Sequence, residues 1–316
     1  MYSNTIFVFP GQGSQYVGMA KDFYDNMPEA REIFELASDV TGLNVTELCL
    51  EGPLEELTRT SNLQPCLTAV EMICAIAMMQ HGVSPVAVAG HSLGEYAALW
   101  VAGVLGIEDT LRLVHLRGRL MEEAGSGTSG AMAAVIGLDK NALEAMTAPL
   151  QKEGVISLAN HNSPEQIVVT GEAALINRLV QQIKAETKAK AIPLKVTGAF
   201  HSPLMKTASV QLSEALKDVR FNPARIPVYC NVTAQPETDP MRIQRLLVEQ
   251  IYSPVRWYET VVNMASNHSP CCFLELGPKN VLTNLIKKTL AEGTYAVYQI
   301  EDSQGIEAFL NDDLQS

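Results

Sequence analysis

Residues 86–96, Val-Ala-Val-Ala-Gly-His-Ser-Leu-Gly-Glu-Tyr, constrain the fold more than any other stretch of the chain. The apolar run from Val86 to Ala89 predicts a short buried strand, and the pattern from Leu93 to Val101 predicts a helix. Between them, Gly90-His91-Ser92-Leu93-Gly94 matches G-x-S-x-G, a sharp strand-to-helix turn that lifts a serine hydroxyl above a sheet. Such a turn crowds its own backbone, so glycines two residues before and two after the serine relieve the clash. The helix N-terminus that follows favours negative charge developing beside the hydroxyl. The bland reading of the same residues is a tight βα turn with a capping serine.

The 316 residues suit one large domain, or a large domain with a smaller one inserted. A hydrophobic content of 47% and a charged content of 18% allow a sizeable core. Met1 to Pro10 has neither a basic n-region nor a long apolar segment and reads as the first strand. Tyr96 to Ile107, taken as the longest apolar stretch, is too short to span a bilayer. A cytoplasmic protein without membrane contact is expected. The net charge of −12 argues against a nucleic-acid binder. Cys49, Cys66, Cys74, Cys230, Cys271 and Cys272 form no C-x-x-C pair and sit largely in apolar runs, as buried free thiols do. No metal site is expected.

Thr5 to Phe9 predicts a strand, followed by Pro10-Gly11-Gln12-Gly13-Ser14-Gln15. No lysine follows the second glycine at the spacing of a phosphate loop. Opposite a nucleophilic serine, this loop becomes a candidate oxyanion hole. Helices are predicted over 27–41, 62–79 and 108–123, the last carrying Arg117, which by itself reads as a solvated or snorkelling side chain. Residues 124–130 have the composition of a flexible hinge. Beyond them come strands at 132–136, 155–159, 166–170 and 189–196 and helices at 140–150 and 173–186, with 158–164 as the central turn. This βαββαβ order is the ferredoxin-like signature. Residues 129–196 are therefore expected to form a small subdomain within a discontinuous main domain, 1–128 and 197–316. A helix is expected over 206–218, strands at 226–231 and 273–278, and an acidic, frayed tail from Glu301.

Ser92 needs a base. His201 has the best address, on the second hinge at 197–203, where the main domain resumes. His91 adjoins the serine, but neighbouring side chains at a sharp turn point apart. Neither Asp nor Glu occurs from Lys188 to Leu212. A distant acid or a backbone carbonyl is left to orient the imidazole.

Five motifs in order carry a resemblance that composition does not. They are Phe9-Pro10-Gly11-Gln12-Gly13-Ser14-Gln15, Gly90 to Tyr96, Leu116-Arg117-Gly118, Gly198-Ala199-Phe200-His201-Ser202-Pro203-Leu204-Met205 and Glu275-Leu276-Gly277-Pro278. From about Thr5 to Leu290 the chain resembles the free-standing malonyl-CoA:acyl carrier protein transacylases of fatty-acid and polyketide synthesis. The resemblance implies an α/β-hydrolase-like main domain with a parallel sheet and an inserted ferredoxin-like subdomain. It implies Ser92 as nucleophile, His201 as general base and acid, and the Gln250 main-chain carbonyl as orienter of His201. It also implies the Gln12 and Leu93 N–H groups as oxyanion hole, and Arg117 as partner of the malonyl carboxylate. Phe200 matches the malonyl-selective members.

The implied reaction is ping-pong, through a malonyl-serine ester, with no resident cofactor. The phosphopantetheine arm belongs to the partner, a holo acyl carrier protein, and the enzyme is expected to be a monomer. Such carriers are acidic, so a locally basic docking face is expected at Lys188, Lys190 and Lys195. Arg178, Lys184, Lys279, Lys287 and Lys288 extend the candidate set. Rival readings are an acyl hydrolase that clears carriers, a transferase for another acyl unit such as methylmalonyl, and a catalytically silent docking partner.

Overall fold

The computed structural model describes residues 4–127 and 129–313. Two sheets organise them. The larger has six strands: β1 (Thr5–Phe9), β2 (Ala87–Gly90), β7 (Val228–Tyr229), β8 (Pro236–Glu237), β9 (Cys271–Leu276) and β10 (Tyr295–Ile300). Their order is β10-β9-β1-β2-β7-β8, parallel throughout except for β8 at one edge. All five β1 residues are buried, as a central parallel strand covered on both faces must be. Alternation divides them: Phe7 and Phe9 join the large core on one face, and Ile6 and Val8 a smaller core on the other.

The second sheet is antiparallel, ordered β4-β5-β3-β6. Its strands are β3 (Gly130–Ile136), β4 (Ile156–Ser163), β5 (Gln166–Glu172) and β6 (Lys190–Pro193). With the helices Lys140–Thr147 and Ala173–Glu186 this is a ferredoxin-like subdomain on an α/β-hydrolase-like body. One face buries Ala133, Val135, Ile167 and Val169 beneath those helices. The other face sends Met132 and Val168 into the main core. The small sheet thus lies on the body through an apolar contact.

Several local expectations are corrected. The helix Ile107–Ser126 runs through the first residues of the expected hinge, whose Thr128 lies outside the described residues. Residues 158–163 are strand instead of turn, because β4 bonds across to the body: His161 N–H donates to Val255 O at 2.9 Å and Val255 N–H to Ala159 O at 2.8 Å. The strands expected at 189–196 and 226–231 shorten to β6 and β7. Through Asp313 the tail is ordered, and 314–316 lie outside the described residues: Ser303–Asp313 is a helix whose Phe309, fully buried, meets Tyr298 edge-on. Acidic composition masked an amphipathic helix closing the sheet edge beside β10.

Tyr96 to Ile107 is also not the longest apolar stretch. The helix Thr60–Gln80 is long and apolar enough to cross a membrane by length and composition, with 83% of that window buried inside the protein. It is apolar on every side because it is a core helix. All six cysteines are buried, and none forms a disulfide among the described residues.

Candidate active site

β1 and β2 are neighbours, with Phe9 opposite Gly90. Their C-terminal ends therefore deliver the loop 10–15 and the Ser92 turn to one place, the usual crevice of an α/β sheet. The turn allows no side chain at its glycines: a Cβ at Gly90 would strike the Gly94 carbonyl, and one at Gly94 the Phe9 carbonyl. Ser92 itself takes a left-handed φ of 52°, and His201 one of 58°. Non-glycine residues rarely hold such angles outside sites where surrounding structure imposes them. Here Asn231, delivered just beyond β7, accepts from Ser92 N–H at 2.7 Å and donates to Gly90 O at 2.6 Å.

Ser92 Oγ lies 2.8 Å from His201 Nε2. On the far side of the ring, Nδ1 faces two carbonyls, Gln250 O at 2.9 Å and Ser253 O at 3.2 Å. Carbonyls only accept, so Nδ1 carries the proton and Nε2 accepts from the serine hydroxyl. Burial, and secondly the nearby Arg117 guanidinium, push the His201 pKa down to about 3. The imidazole is neutral at physiological pH, ready to take a proton.

Arg117 is 1% exposed. Its Nη1 donates to Gln64 Oε1 at 3.0 Å, and Nη2 to Gln250 Oε1 at 2.9 Å and Ser92 Oγ at 3.0 Å. The guanidinium carbon stands 5.6 Å from the Tyr96 ring centroid. Arg117 Nε is buried without a hydrogen-bond partner, and among the described residues no carboxylate forms an ion pair with it. A buried cation held only by neutral acceptors and a ring face is unusual, since buried charges are normally paired. It is a receptor for an anion that comes from outside.

These groups line a cavity of about 110 Å³ between the two sheets. Met121, Met132, Val196 and Phe200 form apolar walls, and the exposed Gln12 and Leu194 stand at its rim. It is smaller than the roughly 300–1,000 Å³ of pockets for drug-sized ligands and suits a short acyl group. The Gln12 and Leu93 backbone N–H groups have no protein acceptor among the described residues. Lysine 279 braces the loop below, donating to Gln15 O at 3.0 Å.

The structure thus brings Ser92, His201, Gln250, Arg117, Gln12, Leu93 and Phe200 to one cavity. Lys188, Lys190 and Lys195 lie outside it, exposed on and beside β6 and free of ion pairs among the described residues. Three of the wider basic set are engaged: Arg178 with Glu153, Lys279 with the loop, and Lys288 with Gln166. Residues that sequence reasoning passed over are Gln64, Glu95, Asn231, Ser253 and the Gln250 side chain. Gln64 sits beside Pro65 in a helix that carries other polar residues as well, so nothing local singles it out.

Comparison with known proteins gives the family. A family model described as an acyl transferase domain matches residues 6–308. A malonyl CoA-acyl carrier protein transacylase of Bacillus subtilis is 41% identical over 287 residues, 90% of either chain. An acyl carrier protein S-malonyltransferase of Vibrio cholerae superposes with a TM-score of 0.92 at 38% identity, covering 97% of this chain and 100% of the other. A malonyl-transacylase solved in complex with its type II PKS acyl-carrier protein gives 0.93 at 37%, covering 98% and 100%. By sequence and by fold, this chain belongs to the acyl transferase family.

Proposed function

We propose that the chain transfers a malonyl group from malonyl-CoA to the phosphopantetheine thiol of an acyl carrier protein, for fatty-acid or polyketide synthesis. The observation that carries this reading is Arg117, a buried and unpaired guanidinium 3.0 Å from the nucleophile. A rigid guanidinium fork grips a carboxylate with two hydrogen bonds, which a neutral acyl chain cannot use. That geometry disfavours a hydrolase for neutral acyl chains.

In the proposed mechanism the malonyl carboxylate takes the place of Ser92 on Arg117, which keeps its bond to Gln250 Oε1, and sets its thioester carbon over Ser92 Oγ. His201 Nε2 takes the hydroxyl proton as Oγ attacks, and the Gln12 and Leu93 N–H groups receive the oxyanion. Collapse breaks the C–S bond, and His201 returns the proton to the departing CoA sulfur. The carrier thiol then attacks the malonyl-serine ester by the same steps in reverse order, regenerating Ser92. Once the substrate carboxylate pairs with Arg117, one cause of the low His201 pKa is offset, so the base strengthens when acid–base work begins. In this reading the chain divides into a catalytic body, 1–128 and 197–316, and a small subdomain, 129–196, that borders the site. No resident cofactor enters the scheme, and a cytoplasmic monomer is its simplest host.

The carrier is proposed to dock at Lys188, Lys190 and Lys195, beside the exposed Ile192 and Leu194 of the same rim. Intact-protein mass spectrometry after brief mixing with malonyl-CoA, followed by a holo carrier, tests the whole reading. A malonyl adduct that passes to the carrier and vanishes in Ser92→Ala is expected. Free malonate without a persistent adduct would hand the site to the hydrolase reading.

A further inference from the structure

Glu95, the residue after the second glycine of the elbow, has no part in the chemistry above, yet it is 1% exposed. Its Oε2 accepts from Gln250 Nε2 at 2.8 Å and from the Asn231 backbone N–H at 3.1 Å. The side chains of those two residues grip the elbow from both sides. Asn231 holds Ser92 N–H and Gly90 O, and Gln250 Nε2 also donates to Ser92 O at 2.8 Å.

A primary amide has nearly the same shape when rotated half a turn, so its orientation is decided by its partners. For Gln250 the orientation has a consequence, because the other end of the amide meets Arg117, with Oε1 accepting from Nη2 at 2.9 Å. A half-turn would press an NH₂ group against the guanidinium and leave a carbonyl oxygen facing Glu95 and Ser92 O. Glu95 supplies a fixed acceptor on a short helix that starts at the elbow itself. Its charge stays one residue removed from Arg117, so the guanidinium is aimed without being neutralised by an ion pair.

We propose that Glu95 is a positioning residue for acyl selectivity: through the Gln250 amide it holds Arg117 at the acyl end of the cavity, ready for a carboxylate. The inference rests on the malonyl reading above. It adds that selectivity is set by an acceptor that touches neither substrate nor arginine.

Two substitutions separate reach from charge. Glu95→Gln keeps an oxygen at the same distance and removes the charge; Glu95→Asp keeps the charge and withdraws the oxygen by one methylene. Loading of Ser92 from malonyl-CoA and from acetyl-CoA is measured for each, as kcat and KM. Glu95→Gln is expected to keep the malonyl preference within about threefold of wild type. Glu95→Asp is expected to lose about tenfold of it through a higher KM for malonyl-CoA, with acetyl loading preserved. An equal fall in both substrates, an unchanged preference in Glu95→Asp, or loss in Glu95→Gln alone would overturn the proposal. Should Glu95→Asp fail to fold, Glu95→Ala takes its place: it removes the acceptor and leaves Gln250 and Arg117 intact, and it must lose the malonyl preference at least as far. Wild type loaded in the same assay tests the malonyl reading separately, since absence of any malonyl adduct there sinks that reading whatever the variants do.

Discussion

Ser92 and Arg117 meet across 3.0 Å, but they reach that point by different routes. The serine is placed first by its immediate neighbours, a strand that ends at Gly90, a left-handed φ and a helix that begins at Gly94, and only then pinned by Asn231 and Gln250. The arginine is placed by three distant parts of the chain. It projects from Ile107–Ser126 and is held by Gln64 of Thr60–Gln80 and Gln250 of Pro240–Gln250. Reactivity here is a property of backbone, and recognition a property of packing. The two should therefore fail differently. Gly94→Ala puts a methyl against the Phe9 carbonyl, with Pro10 O only 2.7 Å away, and backbone cannot swing aside as a side chain can. We expect a loss above about 3 kcal/mol in urea unfolding, or no folded protein at all.

Arg117→Ala should leave the elbow standing and damage only recognition. A charge-assisted hydrogen bond contributes about 1.5–3 kcal/mol, so loss of even one of the two lowers malonyl loading by roughly ten- to a hundredfold. Acetyl loading, which makes no use of the guanidinium, should change far less. If both substrates slow together in rapid-mix mass spectrometry, the arginine is supporting the nucleophile and not reading the acyl group. The comparison between the two residues would then collapse.

The same contrast explains what the sequence could disclose. The elbow is written in five consecutive residues, and strand, glycines and helix are all local signals. The loop 10–15 and the βαββαβ order were legible for the same reason. Gln64, Asn231 and Glu95 were not, because nothing in their own neighbourhoods marks them; each matters only once β1, β2 and β7 lie side by side. Arg117, read by itself, looked like a surface side chain on an amphipathic helix. Only likeness to known proteins singled it out, and packing then gave the physical reason. The misread tail and the misread turn at 158–164 share a cause: in both, tertiary contacts to Tyr298 and Val255 override local composition.

A weaker effect is expected outside the cavity. Lys188 and Lys190 are exposed, and neither is committed to an ion pair among the described residues. Charge reversal at both should lower kcat/KM for an acidic carrier by roughly fivefold, more at low salt, because such charges act mainly on encounter. Self-malonylation from malonyl-CoA should not change. A salt-independent loss, or a loss in self-malonylation, would place the carrier elsewhere.

The smallest effect concerns how the two residues share one buried space. Burial first, and Arg117 second, lower the His201 pKa from 6.5 to about 3. The unfolded imidazole binds a proton near its ordinary value, whereas the folded one stays neutral until far lower pH. Above the ordinary value both states are neutral and the fold has its full stability. As pH falls below it, the unfolded state gains protons first, so stability is lost progressively toward the folded value. Between about pH 7.5 and about pH 5.5, that linkage amounts to about 1 kcal/mol. Other buried groups titrate in the same range, since burial raises the Glu95 and Glu275 carboxyls to about 7. Those carboxyls bind protons more readily when folded, so they act in the opposite sense and can hide the histidine in wild type alone. Urea unfolding of wild type and His201→Gln at both pH values isolates it. Wild type should lose about 1 kcal/mol more than the variant on acidification. Equal losses would mean that His201 takes up its proton over the same pH range folded as unfolded, so that neither burial nor Arg117 holds the imidazole neutral.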